Sequence, residues 1–333
     1  MTAGFSTRGS PLFLCPRRDA PVSFPDMATR IVSLLPAATE IVCLLGLGDA
    51  LVGVTHECDF PDDVQRLPRV VRASFDPSGL SQHAIDARVR GAVARGEPLY
   101  AIDADLLVAL RPELVLTQEL CDVCAIASGA AQRAIARVLP APAVLSLHPH
   151  SLDEVIGDVE RVGVAAGAGT RAAREAALLR GRLASVEQAV SLRPRRRAAI
   201  LEWLDPLMAS GHWVGDMLRC AGGEDVLGVE GGPSVRVAWD EIRDRDPEVL
   251  ILAPCGFAVE RVIADARALE SLPGWKTLQA VRAREVHAMD GNAHTSRPGP
   301  RLVEGVEVLA EILHPGVFPA HEPSRARRIP VSG

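Results

Sequence analysis

Residues 30–48 read RIVSLLPAATEIVCLLGLG, and this stretch predicts a buried strand followed directly by a helix. The apolar run at 31–34 is short and bounded, as buried strands are. Pro36 stands where the first turn of a helix tolerates proline, and Gly46 marks the end of the helix. A strand that leads directly into a helix is the first half of a β-α-β unit, so the stretch favours an α/β fold.

The same alternation of short apolar runs and helical periodicity continues along the chain. Further strands are predicted at 51–54, 114–117 and 143–146, and then at 198–202, 249–252 and 285–288. Helices are predicted at 37–46, 81–95, 103–110 and 126–138, and then at 214–221, 257–270 and 300–312. We therefore expect an α/β protein of two Rossmann-like lobes, each with a parallel sheet.

Between the two sets of strands, residues 151–192 carry no strand signal. Ser151 and Glu154 form a capping box, and the stretch from Thr170 to Leu192 has the composition of one helix, about 33 Å long. A single long helix is therefore predicted to join the lobes and to permit only modest closure. The predicted divisions are a disordered extension (1–29), an N-terminal lobe (30–150), connecting helices (151–192), a C-terminal lobe (193–316) and a tail (317–333).

Composition and motifs exclude several classes of protein. The chain has 333 residues, a formal net charge of −6 and no basic stripe with interleaved aromatic residues, so we expect no nucleic-acid partner. It has no nucleotide-binding glycine motif and neither H-E-x-x-H nor G-x-S-x-G. We expect a monomer, and a binding protein rather than an enzyme. No signal peptide is recognisable, which predicts a cytoplasmic protein, or a periplasmic or cell-surface one if the native start differs.

Candidate ligand contacts follow the predicted strands, because ligands of open α/β sheets bind beyond the carboxyl ends of the strands. Loop aromatics suit a large flat ligand, and the polar residues beside them suit its hydrogen-bonding groups. In the first lobe the candidates are Pro36, Ala37, Thr39, His56, Glu57, Gln118 and Glu119. In the second lobe they are Trp203, Asp205, His212, Trp213, Phe257, Asn292, His294, Ser296 and Arg297.

Four of the seven cysteines also follow strand-like runs: Cys58, Cys121, Cys124 and Cys255. Residues 118–125, QELCDVCA, contain a Cys-x-x-Cys, which suits a redox pair, half of a tetrahedral zinc or iron–sulfur site, or a ligand contact. The redox interpretation would need a thioredoxin-like fold, which the remaining pattern does not predict. The metal site and the ligand contact both stay open.

The order of these segments resembles the periplasmic binding proteins of the iron-siderophore and vitamin B12 class. The resemblance covers residues 30–315 and is carried by RIVSLLPAATE (30–40), LLGLG (44–48), LRPELVL (110–116), AGG (221–223), WDE (239–241) and DPEVLI (246–251). Within that class, THECDFP (55–61), the Cys-x-x-Cys and WLDP (203–206) resemble the vitamin B12-binding branch, including its members without a signal peptide.

The resemblance implies a class III substrate-binding protein: two lobes joined by a long helix, a corrinoid of the cobalamin type in the cleft, and an ABC permease as partner. One of His56, His212, His294 or a cysteine would then coordinate cobalt, and Trp203, Trp213 and Phe257 would pack on the ring. Haem and a ferric siderophore are the alternative ligands. A siderophore site usually needs several Arg or Lys residues, whereas these loops offer mainly Arg297, which favours a nearly neutral corrinoid.

Overall fold

The computed structural model describes residues 27–118, 128–228 and 231–330. Its first lobe contains six strands: β1 (Ile31–Ser33), β2 (Leu51–Thr55), β3 (Arg69–Ala73), β4 (Tyr100–Ile102), β5 (Leu114–Gln118) and β6 (Ala143–Leu147). Its helices are α1 (Pro36–Leu44), α2 (Gln82–Ala94), α3 (Ala104–Leu110) and α4 (Ser128–Ile135), with single 3₁₀ turns at Gly48–Ala50 and Asp62–Arg66. The strands form one sheet in the order β4-β3-β2-β1-β5-β6, parallel except for β4 at the edge.

The central strand β1 is buried on both faces of the sheet. Ile31 packs with Ile41 and the α1 side of the lobe, whereas Val32 packs with Leu107 and the α3 side, since successive side chains of a strand point to opposite faces. The chain adds β2 on one side of β1 and β5 on the other. This reversal of strand order creates a crevice outside the carboxyl ends of these strands.

Two antiparallel helices, α5 (Leu152–Ala165) and α6 (Gly169–Val190), connect the lobes. The predicted N-cap is present, because Ser151 Oγ accepts the Glu154 N–H at 3.2 Å. Gly163 lets the helices pack closely: a Cβ there would lie 2.1 Å from that of Ala172. The α6 helix has 22 residues and packs first in the core of lobe one and then, at Val186, in that of lobe two, so the prediction of one long joining helix is confirmed.

In its described residues the second lobe contains seven strands: β7 (Arg196–Leu204), β8 (Leu207–Ala209), β9 (Gly223–Asp225), β10 (Val235–Arg236), β11 (Val249–Leu252), β12 (Val286–Met289) and β13 (Ala326–Arg328). Its helices are α7 (Val214–Cys220), α8 (Trp239–Arg245), α9 (Val259–Ala266), α10 (Gln279–Arg282), α11 (Gly291–His294) and α12 (Leu302–Leu313), with 3₁₀ turns at Arg267–Ser271 and Trp275–Thr277. The sheet order is β10-β8-β7-β11-β12-β13, and β9 pairs with the start of β7.

The α/β class and the two-lobed architecture are confirmed, but neither sheet is purely parallel. In lobe two, β7, β11 and β12 are parallel, whereas β8, β10 and β13 are antiparallel additions at the edges. These added strands of lobe two have two or three residues each, which is too short for a recognisable pattern in the sequence. No helix in the described ranges is long and apolar enough to cross a membrane.

Candidate functional site

A cleft of about 480 Å³ lies between the lobes at the carboxyl ends of β1, β2 and β5. Lobe one lines it with Leu34, Leu35, Pro36, Ala37, Thr55, His56, Glu57, Asp59, Val71, Tyr100 and Gln118. Lobe two lines it with Cys255, Gly256, Asn292, Ser296, Arg297 and Pro298. Two smaller depressions, of about 420 and 380 Å³, are lined by residues of lobe two only. The interlobe cleft is therefore the candidate site, since it lies where the strand order reverses.

The structure brings many of the predicted contacts to this cleft and leaves others outside it. Those lining the cleft are Pro36, Ala37, His56, Glu57, Gln118, Cys255, Asn292, Ser296 and Arg297. Those outside its lining are Thr39, Cys58, Trp203, Asp205, His212, Trp213, Phe257 and His294. Glu119, Cys121 and Cys124 lie outside the described residues.

Four of the residues outside the lining are buried in the lobes. The Thr39 hydroxyl lies 3.1 Å from the Cys58 sulfur beneath α1. The Trp213 indole N–H donates to the Thr295 carbonyl at 2.7 Å. Burial lowers the pKa of His294 to about 4, so this imidazole is neutral in the folded protein near pH 7. These side chains support the walls of the cleft.

The other aromatic candidates lie on lobe two, outside the lining of the cleft. Trp203 and Phe257 pack together with ring centroids 5.5 Å apart, and Arg261 lies over the Phe257 ring at 4.9 Å. His212 adopts a positive φ of 53° and stacks on Trp213 at 5.6 Å. These rings are already engaged with protein neighbours.

His56 is held in one orientation in the cleft. Its Nδ1 lies 3.2 Å from the carbonyl oxygen of Val71, and a carbonyl only accepts, so Nδ1 carries the proton and donates. The Nε2 atom is then the basic nitrogen, 3.8 Å from a carboxylate oxygen of Glu57. The Tyr100 ring lies beside the imidazole at 5.9 Å. A histidine fixed in this way can present Nε2 as a metal ligand.

An interlobe ion network borders the cleft; we define it as Glu40, Asp59, Asn292, Arg297 and Arg301. The Arg297 guanidinium contacts both oxygens of Asp59, one of them at 3.1 Å, and donates to the Glu57 carbonyl at 2.9 Å. The Asn292 amide donates to Asp59 at 3.0 Å. Burial disfavours the Asp59 carboxylate, but the hydrogen bond and charge of Arg297 outweigh it, so the pKa of Asp59 is lowered.

The deeper half of the network pairs Glu40 with Arg301. Glu40 lies on α1 and is 4% exposed, and its two oxygens accept from Arg301 at 2.9 and 2.5 Å. Arg297 lies 3.6 Å from the same carboxylate, and Arg301 covers the Phe60 ring at 4.4 Å. Two carboxylates of lobe one are thus matched by two guanidinium groups of lobe two, and the network is neutral as a whole.

A second interlobe contact is made by the start of α2. The Gln82 side chain, 4% exposed, donates to Asp265 at 2.9 Å and accepts the Leu204 backbone N–H at 2.7 Å. Arg261 donates to the Leu80 carbonyl at 2.6 Å. The sequence predicts a helix here, but it gives no sign that a glutamine in its first turn bridges the lobes.

The described cysteines occupy different environments. Cys58 is buried between the hydroxyls of Thr39 and Thr55, and burial raises the pKa of its thiol, whereas Cys255 is exposed at the cleft. Within the described ranges, no group of three or more His, Cys, Asp or Glu side chains is arranged to hold a metal ion. A site that includes the Cys-x-x-Cys at 121–124 stays a prediction, because these residues lie outside the described ranges.

The structure also adds lining residues that sequence reasoning did not select. Asp59 belongs to a loop that was recognised as facing the cleft, but only its interlobe partners give it a role. Tyr100 comes from the edge strand β4 and Val71 from its neighbour β3, and neither strand carries a recognisable pattern. Their position follows from sheet pairing rather than from local sequence.

The sequence profile described as "Periplasmic binding protein" matches residues 31–293. The chain belongs to this family. It is 26% identical over 296 residues to an uncharacterized ABC transporter substrate-binding lipoprotein of Bacillus subtilis, covering 87% of this chain and 81% of the relative. It is 24% identical to a vitamin B12-binding protein of Vibrio cholerae, covering 87% and 90%. A crystal structure of a periplasmic haem-binding protein from Pseudomonas aeruginosa shares the fold, with a TM-score of 0.68 and 18% identity over 92% of this chain and all of that one.

These findings correct the predicted location. The match to a family of periplasmic binding proteins and the similarity to a lipoprotein point to a place outside the cytoplasm, so the expectation of a cytoplasmic protein is wrong. That expectation rested on the amino-terminal residues alone, and the two-lobed fold bears more directly on function. By family, the chain is a periplasmic binding protein.

Proposed function

We propose that the cleft binds a corrinoid of the cobalamin type and delivers it to an ABC permease. The observation that carries the proposal is the charge of the lining. Among the described lining residues, Glu57 and Asp59 are acidic. Arg297 is the only Arg or Lys among them, and it is already paired with Asp59. A corrinoid bearing neutral amide arms suits such a surface better than a polyanionic chelate does.

The uncharged part of the lining supports the same class of ligand. Leu34, Leu35 and Pro36 offer an apolar wall for a ring face, while Gln118, Asn292 and Ser296 offer donors and acceptors for amides. His56 holds Nε2 as a candidate axial ligand for cobalt.

The size of the cleft adds a requirement to the proposal. Its 480 Å³ is within the range of about 300–1,000 Å³ of small-molecule sites, but a corrinoid with its peripheral arms is larger than this cleft. The lobes therefore have to separate beyond their positions in this structure for the ligand to enter. The ion network and the contacts of α2 with lobe two, which include those of Gln82, His83 and Asp86, would have to open.

Titration of the purified protein with cyanocobalamin, aquocobalamin and cobinamide tests the proposal, with calorimetry and the visible spectrum as readouts. We expect a heat of binding at micromolar protein and, for aquocobalamin or cobinamide, a spectral shift that disappears in His56→Ala. His83→Ala is the matched control, because His83 is an exposed histidine that pairs with Asp205 outside the cleft lining. Absence of both heat and spectral change with all three corrinoids would refute corrinoid binding.

Haem is the second candidate, and one observation favours it. The Tyr100 and His56 rings lie side by side at the cleft, and phenolate and imidazole are both known axial ligands of haem iron. Against haem stands the shortage of cations for its two propionates. Titration with ferric haem, monitored at the Soret band, distinguishes the two ligands.

A further inference from the structure

We propose that Asp59 determines the charge of the ligand by keeping Arg297 engaged, so that the cleft excludes anionic ligands. The proposal rests on the interlobe cleft as the ligand site, but not on the ligand being a corrinoid. In this proposal Asp59 of lobe one controls ligand specificity by acting on Arg297 of lobe two.

The geometry of the pair carries the proposal. Arg297 lines the cleft, yet its side chain is only 10% exposed. The Arg297 guanidinium donates to both Asp59 oxygens and to the Glu57 carbonyl. The donors that would otherwise bind a carboxylate or a catecholate are therefore already used. Asn292 supports Asp59 from the same side as Arg297. An anionic ligand would have to displace Asp59 before it could reach this cation.

No other described Arg or Lys side chain lines the cleft to take over this role. Arg301 is directed to Glu40, with both carboxylate oxygens satisfied, and is not part of the lining. An anionic ligand therefore meets Glu57 and Asp59 without an available guanidinium. Desolvating its charge in such a site is costly, because a buried charge needs a partner.

Substitution of Asp59 offers a gain-of-function test. Asp59→Asn keeps the shape of the side chain but removes its charge, which weakens its hold on Arg297. The Asp59 side chain is 47% exposed, so the variant is expected to fold; Asp59→Ser is the second variant if it does not. The probes are ferric haem and a ferric tris-catechol complex as anions, and cobinamide as the corrinoid, with binding followed by tryptophan fluorescence.

We expect Asp59→Asn to bind the anionic complexes about ten- to a hundredfold more tightly than the wild type, the gain typical of one new charge-assisted hydrogen bond. Cobinamide affinity should change less than the affinity for the anionic complexes does, since its neutral arms do not need the cation. The double variant Asp59→Asn/Arg297→Gln should lose the gain, because the released guanidinium produces it.

Glu57→Gln is the matched control. Glu57 lines the same cleft and carries the same charge, but only its backbone carbonyl contacts Arg297. If Glu57→Gln gains as much anion affinity as Asp59→Asn, simple charge removal explains the effect and the proposal is overturned. It is likewise overturned if Asp59→Asn shows no gain, or if the gain survives in the double variant. Failure of the wild type to bind any corrinoid would instead refute the proposed function, whatever the result with the anions.

Discussion

Replacing Gln82 by alanine tests whether the α2 contact holds the lobes together. In the closed structure the Gln82 amide satisfies the Leu204 N–H, and it also donates to Asp265. Leu204 is 6% exposed, so its N–H has no ready access to water while the lobes are closed. Gln82→Ala leaves this donor without an acceptor in the closed state, whereas opening lets water reach it.

The free-energy cost of Gln82→Ala in the closed state follows from the loss of these two hydrogen bonds. A buried backbone donor without a partner costs about 1–3 kcal/mol. The bond to Asp265 adds little more, because Arg261 still donates to that carboxylate at 3.0 Å. We therefore expect Gln82→Ala to destabilise the closed state relative to the open state by about 2–3 kcal/mol, which corresponds to about a 30- to 140-fold shift of the equilibrium toward opening.

Amide hydrogen exchange measures this shift directly at Leu204, and small-angle scattering reports the accompanying rise in the radius of gyration. His83→Ala is the matched control: His83 also crosses from α2 to lobe two, but it and Asp205 are 66% and 63% exposed, so their pairing contributes at most about 1 kcal/mol. Unchanged exchange at Leu204 in Gln82→Ala, or an equal change in His83→Ala, would show that the α2 contact does not control closure.

Three further substitutions test the buried charges. Burial raises the pKa of Glu202 from 4.5 to about 7, so its contribution to the free energy of unfolding is complete below pH 4.5 and is lost as the pH rises through 7. In calorimetry from pH 4 to 8, Glu202→Gln should not show this loss of about 3 kcal/mol. Burial lowers the pKa of His294 from 6.5 to about 4, so its contribution to the free energy of unfolding is complete above pH 6.5 and is lost as the pH falls through 4. His294→Gln should not show this loss, which is also about 3 kcal/mol. An unchanged stability profile at acidic pH would contradict the attribution of the loss to His294. Arg301→Ala leaves the buried Glu40 carboxylate with only Arg297 nearby, so the free energy of unfolding in urea should fall by about 3 kcal/mol. The control Arg66→Ala, at a side chain that is 86% exposed, should change it by less than about 0.5 kcal/mol.

Local sequence patterns determined the elements that lie deepest in the fold. The strands β1, β5, β7, β11 and β12 are buried apolar runs, and such runs are recognisable without knowledge of their partners. The helix α6 follows from its composition over 22 residues. Because strands alternate with helices, the sequence also placed the His56 and Asn292 loops at the carboxyl ends of strands, where the cleft lies.

Tertiary structure alone decided which of those loop residues meet. Asp59 and Arg297 are 238 positions apart, and Gln82 and Asp265 are 183 positions apart, so no local periodicity relates them. The same holds for the burial of Trp213 and His294, which the sequence offered as ligand contacts but packing placed in the core. Local propensity acts over a few residues, whereas the charge and shape of the cleft depend on how α6 sets one lobe against the other. The sequence therefore predicted which loops of each lobe line the cleft. Only the packing of the lobes showed that Arg297 of lobe two is already bound by Asp59 of lobe one.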